Sequence, residues 1–287
     1  MEHILIIGYG KLGSHLYFAL KSTGKRYAVT VVRNKKPNAM VLKKQIEKTG
    51  IIFICVQDSN IAGAVKLINK TSAELKGKYI FHTSGALTSD ELTSLSKKGA
   101  YTASFHPVQT FEKKAIRQTD RFKEIYIALE GNKIAVKKAV QVARELRSNS
   151  FIIKKENKVY HHICCVMASN YLTVLNSKIE EAGSKKIQIN GFNKLKFFNI
   201  YMPLALQTLE NISSLGPKAA LTGPIERNDA GTLESHLKAL SKSGKDILFY
   251  YILMGIETVK LALKKKSLNR SEANKIYKLF SKYIKLQ

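Results

Sequence analysis

Tryptophan is absent from the 287 residues, proline occurs five times and cysteine three times. Acid is scarce too: 21 Asp and Glu face 48 Lys and Arg, a formal net charge of +27. Each shortage excludes something. Two adjacent cysteines (Cys164, Cys165) and one inside an apolar run (Cys55) cannot build the disulfide framework of a small secreted domain. Buried, reduced thiols in a cytoplasmic protein are expected instead. No Cys/His spacing resembles a zinc site, so no metal is expected. The longest apolar run, Ile247–Ile256, is too short to span a bilayer and is followed by Glu257 and Lys260, so no membrane partner is expected. An apolar strand pattern begins at once, so no signal peptide is expected. The missing acid leaves a field that draws anions. Its lysines are scattered, however, with no arginine-rich tract and no nucleic-acid motif, so nucleic acid is not an expected partner. The densest stretch, Lys264–Gln287, holds Glu272 alone against eight basic residues and reads as a solvated helix face.

What is present is organised around the first 13 residues. Ile4–Ile7 is a short, mostly β-branched run that reads as a buried strand. Gly8, Gly10 and Gly13 follow with the spacing G-x-G-x-x-G, and Ser14–Ser22 has helical apolar spacing. Strand, glycine turn and helix in that order predict a dinucleotide site over Gly8, Tyr9, Gly10, Lys11, Leu12 and Gly13. Gly8 allows the tight turn, Gly10 lets a pyrophosphate approach the backbone, and Gly13 lets the helix pack on the strand. A second strand, Tyr27–Arg33, ends where an NAD site offers a carboxylate, about 20 residues past the glycines. Arg33, Asn34, Lys35 and Lys36 stand there with no acid among them, which favours the 2′-phosphate of NADP over NAD.

Strand and helix patterns alternate up to about residue 155. Strands are predicted at Ile51–Val56, Tyr79–His82, Tyr101–Phe105, Ile125–Leu129 and Phe151–Ile153. Helices fall at Ala39–Lys48, Asn60–Asn69, Ser89–Lys97 and Ile134–Arg147. The alternation predicts an α/β, mostly parallel, doubly wound Rossmann-type sheet over residues 1–155. Residues 156–287 show no strand pattern and read as an all-α domain. Its helices are Val159–Ala182, Phe192–Leu215, Gly231–Ser241, Lys245–Leu263 and Ser271–Leu286, with a non-helical stretch at Gly216–Asp229.

Ligands of such sheets lie beyond the carboxyl ends of the strands. That rule selects Val56, Gln57, Asp58, Ser84 and His106 besides the glycine turn. Asp58 and Ser84 are candidates to bound a nicotinamide ribose, Ser84 and His106 to donate or exchange a proton. Tyr160, His161, His162, Ser169 and Asn170 give a polar set on an otherwise apolar helix, with His162 and Asn170 as candidate donors. In Ala220–Asp229, Thr222, Gly223, Arg227 and Asp229 form a candidate substrate loop, Arg227 as a bidentate clamp on an anion. Asp229 equally fits a helix cap.

Thr-Ser-Gly (83–85), Phe-His-Pro (105–107), Tyr-His…Ala-Ser-Asn (160–170) and Leu-Thr-Gly-Pro-Ile-x-Arg-x-Asp (221–229), behind the glycine fingerprint, resemble one family. It comprises two-domain NADP oxidoreductases with an uncharacterised helical domain. Pyrroline-5-carboxylate reductase, deazaflavin-dependent NADP oxidoreductase and 6-phosphogluconate dehydrogenase-like enzymes are relatives. The resemblance covers nearly the whole chain. It implies a 6-phosphogluconate dehydrogenase-like C-terminal architecture, a dinucleotide cleft, a small-molecule substrate and a homodimer joined through the helical halves. Two departures stand out: Val166 occupies the lysine position four residues before Asn170, and Asn228 replaces glycine in Arg-Gly-Asp. An NADP-dependent reductase of a small anionic carbonyl or imine is the expected function, and a non-catalytic dinucleotide sensor or scaffold the alternative.

Overall fold

β1 (Glu2–Ile7) is apolar on both faces because helices cover it on both sides. Ile4 and Ile6 pack with Leu16 and Leu20 of α1 (Lys11–Ser22), whereas Leu5 and Ile7 face Leu42 and Ile46 of α2 (Ala39–Glu47). A computed structural model describes residues 1–24, 26–33, 37–113, 120–184, 186–187 and 194–285. The remaining strands are β2 (Tyr27–Val32), β3 (Ile51–Ile54), β4 (Tyr79–His82), β5 (Tyr101–Pro107), β6 (Tyr126–Gly131) and β7 (Asn149–Ile152). They form one seven-stranded sheet in the order β2-β1-β3-β4-β5-β6-β7. Pairing is parallel throughout except at β5–β6, where Phe105 lies opposite Leu129. The chain leaves β1 in one direction for β2 and crosses back to β3, so the strand order reverses between β1 and β3. That reversal opens the ligand crevice of doubly wound sheets.

Helices α3 (Asp58–Lys70), α4 (Thr93–Ser96) and α5 (Lys133–Glu145) complete the two layers, with a 3-10 turn at Ser89–Leu92. The helix expected at Ser89–Lys97 is therefore a 3-10 turn followed by a single α turn. β5 also runs further than expected, through His106 and Pro107, because antiparallel β6 continues to pair it (His106 with Ala128, Pro107 with Ile127).

The chain divides into two compact units, Met1–Asn170 and Tyr171–Gln287. The first unit thus includes α6 (Lys158–Val166) and most of a π turn, Met167–Tyr171. What was expected as one helix over Val159–Ala182 is α6, the π turn and then α7 (Leu172–Gly183).

In the second unit α9 (Ala230–Ser241), α10 (Lys245–Lys265) and α11 (Arg270–Lys285) share a core of Leu233, Leu237, Ile252, Val259, Ile276 and Phe280. Gly255 lets the Phe280 ring close on α10, since a Cβ there would lie 2.6 Å from its Cζ. A 3-10 segment, Lys194–Ile200, leads into α8 (Met202–Ala220); Phe192, in the helix expected there, lies outside the described residues. The helix breaks at Gly216, where the sequence pattern ends it, but a helical turn follows inside the stretch expected to be non-helical. Gly216 (φ 78°, ψ 159°) is non-helical, and Pro217 starts a fresh turn reaching Ala220, as proline at a first helical position does. No described helix is long and apolar enough to cross a membrane.

Candidate functional site

The β1–α1 turn needs its glycines for different reasons. Gly8 has φ +101°, and a Cβ on it would lie 2.5 Å from the Cys55 carbonyl oxygen. At Gly13 a Cβ would sit 2.2 Å from the Gly8 carbonyl oxygen, so α1 packs on the turn only without one. Above Gly10 nothing lies within 4 Å. Gly10 caps α1 in extended conformation, no side chain caps the helix, and its first turn holds no acid. The amides of that turn and the positive end of the helix dipole therefore meet an open space that a Cβ would invade, a cradle of the kind that fits a diphosphate. Lys11 and Leu12 belong to the same turn of helix.

Arg33 follows β2 directly, and its guanidinium carbon lies 4.3 Å from the centroid of the Tyr9 ring. The stacked pair brings a planar cation to the glycine turn. Asn34, Lys35 and Lys36 lie outside the described residues.

At the ends of β3 and β4 a buried polar network replaces the loose set of donors expected from the sequence. Val56 and Gln57 lead into α3, which Asp58 begins. The Ser84 hydroxyl donates to Asp58 Oδ2 (2.7 Å) and accepts from the Ala86 and Leu87 amides (3.2 and 3.0 Å). That hydroxyl is spent on holding the turn, so Ser84 shapes the site and has no hydrogen left to give. The Ser84 amide donates to His82 Nδ1 (3.2 Å), which leaves His82 Nε2 to donate to the Thr88 carbonyl (3.0 Å). The Ser84 carbonyl accepts from the Lys158 ammonium (3.1 Å) and the Ser104 hydroxyl (3.2 Å), and Lys158 also donates to Ser104 Oγ. Lys158 is 1% exposed. Desolvation lowers its pKa to about 8, against the opposing pull of the Glu130 and Asp58 carboxylates. Glu130 is itself buried and accepts from the Ser89 amide and hydroxyl (2.8 and 2.7 Å).

A second cluster stands where β5 meets α6. His106 Nδ1 and His161 Nε2 are 3.0 Å apart, and Cys165 Sγ lies 3.7 Å from the same His161 nitrogen. His162 lies alongside: a Cβ on Gly85 would come within 2.8 Å of His106 Nε2 and 2.9 Å of His162 Cδ2. Burial, then the neighbouring His161 and Lys158, push the His106 pKa down to about 3, so the ring is neutral. His161 is shifted down as well, first by desolvation and then by Lys158. Asn170, on the π turn, is exposed. The cysteines depart from the expected buried set. Cys55 is buried, and desolvation raises its pKa to about 12, but Cys164 is exposed and Cys165 half-buried because the unit leaves that face of α6 uncovered.

The loop of the second unit is built as its proline and glycine suggest. Gly223 has φ +112° and Asn228 φ 56°, and Thr222 and Arg227 are exposed. Asp229, expected to touch substrate, is the cap of α9: it accepts from the Thr232 amide (3.0 Å) and hydroxyl (2.7 Å).

His82, Glu130 and Lys158 escaped sequence reasoning, as did the convergence of Cys165 on the histidines. The one local signal was the i, i+4 spacing of His161 and Cys165, which puts both on one helix face.

Comparison with known proteins follows these two halves. A Rossmann-like domain matches residues 3–107, and the domain of unknown function DUF2520 matches residues 125–284. No curated protein matches the sequence. Among solved structures, a Bacteroides fragilis protein with the provisional name of NADP oxidoreductase is 23% identical, with a TM-score of 0.69 over 90% of this chain and 98% of its own. Pyrroline carboxylate reductase of Plasmodium falciparum, solved with NADP bound, is 15% identical, with a TM-score of 0.58 over 93% and 97%. An Aspergillus terreus imine reductase is 15% identical, with a TM-score of 0.56 over 95% and 98%. At these identities the likeness is one of fold. With more than half of its length matched by that one model, the chain belongs to the DUF2520 family, behind a Rossmann-like N-terminal domain.

Proposed function

We propose that the protein is an NADP(H)-dependent oxidoreductase acting on a small carbonyl or imine substrate. The observation that carries this is the pairing of an open, uncapped glycine turn with Arg33 stacked on Tyr9 beside it. Backbone amides of residues 11–13 hold the diphosphate, and the Arg33 guanidinium meets a 2′-phosphate with charge-assisted hydrogen bonds. A nicotinamide, when bound, supplies or accepts a hydride. The pyrroline carboxylate reductase solved with NADP bound and the imine reductase in complex with NADPH4, both of this fold, support this choice of cofactor.

The chain's own work is to shape the strand ends and to manage a proton. Asp58, His82 and Lys158 lock Ser84 from three sides. The imidazole pair has two arrangements. When His161 Nε2 donates to His106 Nδ1, the hydrogen of His106 sits on Nε2, against Gly85, where it can donate a hydrogen bond to a developing oxyanion or amine nitrogen. His162 and Asn170 are further donors on the same stretch of helix. Exposed Arg227 supports an anionic substrate. A homodimer through the helical unit is supported by α8, which buries none of its residues and exposes Leu204, Leu206, Leu209 and Leu215.

Titration of the pure chain with NADPH and NADH tests the core of this. NADPH is expected to bind more tightly, and Arg33→Ser to weaken NADPH alone by about ten- to a hundredfold, the worth of charge-assisted hydrogen bonds. Gly10→Val is expected to abolish both. Equal binding of the two nucleotides by Arg33→Ser and the native chain would refute the 2′-phosphate assignment.

A further inference from the structure

We propose that His106, His161 and Cys165 form a binding site for a divalent transition metal of the zinc class. Their donor atoms, Nδ1, Nε2 and Sγ, all lie within 4.8 Å of one another. Zinc bonds of about 2.0–2.1 Å to nitrogen and 2.3 Å to sulfur at tetrahedral angles separate two nitrogens by about 3.3 Å and nitrogen from sulfur by about 3.6 Å. The observed edges at His161 are 3.0 and 3.7 Å, each within a few tenths of an ångström of those values, and the third, from His106 Nδ1 to Cys165 Sγ, is under 4.8 Å. Two imidazoles and a thiol are borderline-soft ligands that select zinc-like ions over calcium or magnesium, which take oxygen.

The hydrogen bonding of the cluster points the same way. His161 Nε2 carries either one hydrogen or one lone pair, yet both His106 Nδ1 and Cys165 Sγ converge on it. One nitrogen serves both only by sharing its single hydrogen or lone pair between them. A metal satisfies all three at once, as the thiol gives up its proton and each imidazole offers a lone pair.

The supports are rigid. His161 and Cys165 are four residues apart on α6, and His106 lies on β5, where Gly85 crowds its other edge. The Phe151 ring meets His161 edge-on at 5.7 Å. Three ligands among the described residues leave the fourth position of a tetrahedral zinc to water or a ligand, the pattern of reactive rather than purely structural zinc sites, and all three residues are half-buried. A metal on His106 Nδ1 also fixes the ring's remaining hydrogen on Nε2. The metal site does not rest on the dinucleotide reading and fails separately from it.

The test uses the full, tag-free chain, stripped with chelator and titrated with Co²⁺ as a coloured stand-in for Zn²⁺. One equivalent is expected to give tetrahedral visible bands with a thiolate-to-cobalt charge-transfer band, displaced by Zn²⁺. Cys165→Ser is expected to lose the charge-transfer band and Cys164→Ser to keep it, with His161→Gln weakening cobalt binding about tenfold or more. Circular dichroism checks that each variant folds, and His161→Gln carries the test should Cys165→Ser fail to fold. No charge-transfer band in the native chain, its survival in Cys165→Ser, or unchanged affinity in His161→Gln would each overturn the proposal. NADPH titration of the same samples separates the two ideas, because Cys165→Ser is expected to leave dinucleotide affinity unchanged.

Discussion

Acid is expected to unfold the Rossmann unit partly through one histidine. His82 ends β4 with no exposed surface, accepting from the Ser84 amide at Nδ1 and donating to the Thr88 carbonyl from Nε2. A second proton would sit on Nδ1, against an N–H, inside a desolvated site shared with the Lys158 ammonium. Burial first and Lys158 second therefore lower the pKa from 6.5 to about 4, while the Thr88 carbonyl resists. As pH falls the unfolded chain takes up this proton before the folded one, so the contribution is complete above the unfolded value and is lost between 6.5 and about 4. The whole gap is worth about 3 kcal/mol, and about 2 kcal/mol has gone by about pH 5. His82→Gln keeps one acceptor and one donor but cannot titrate. Urea denaturation followed by far-UV circular dichroism, from about pH 7.5 to about pH 5, should show the native chain losing about 2 kcal/mol more than the variant. His106 and His161 titrate in both proteins and cancel in the difference. Parallel loss in the two would refute the assignment of the buried imidazole.

Two further substitutions separate packing from binding. Gly13→Ala is expected to cost about 2–3 kcal/mol, because the new Cβ meets the Gly8 carbonyl, which cannot swing aside as a side chain could. Gly10→Ala should leave the melting temperature nearly unchanged, since nothing lies within 4 Å of its Cβ; comparing the two melting curves is the check. Asp229→Ala removes the α9 cap and is expected to cost about 1 kcal/mol by thermal unfolding. Its NADPH titration curve should overlay that of the native chain.

The parts legible in the sequence were those specified locally. The run Ile4–Ile7 and three glycines at fixed spacing carry their own geometry, so β1, the turn and α1 could be read without knowing what covers them. Pairing across the sheet is not local, and the errors gather there. The strand reads as stopping at Phe105, before His106 and Pro107, because proline usually ends a ladder, whereas β6 arrives antiparallel and prolongs β5 through both. Gly216–Pro217 reads as a helix end and the start of a non-helical stretch, of which only the first half holds. A glycine at positive φ does break one helix there, but the next residue is the one best suited to begin another. Asp229 had two readings from the start, and only the position of Thr232 decides between them.

Lys158 was hidden for a different reason: in a chain with 48 basic residues, a lysine at the head of a helix passes as solvated charge. Two facts weigh against that. It is the first residue of α6, where the helix dipole is positive and a cation is disfavoured. It is also buried, where an ammonium survives only with partners. Those partners come from residues 84 and 104, with Glu130 supplying countercharge, and they are far apart in sequence. A cation held against both its helix and its burial is retained for what it grips. Here that is the Ser84 carbonyl, whose residue also binds Asp58 and His82, so a single ammonium ties the turn after β4 to the middle of β5 and, through Ser84, to the head of α3.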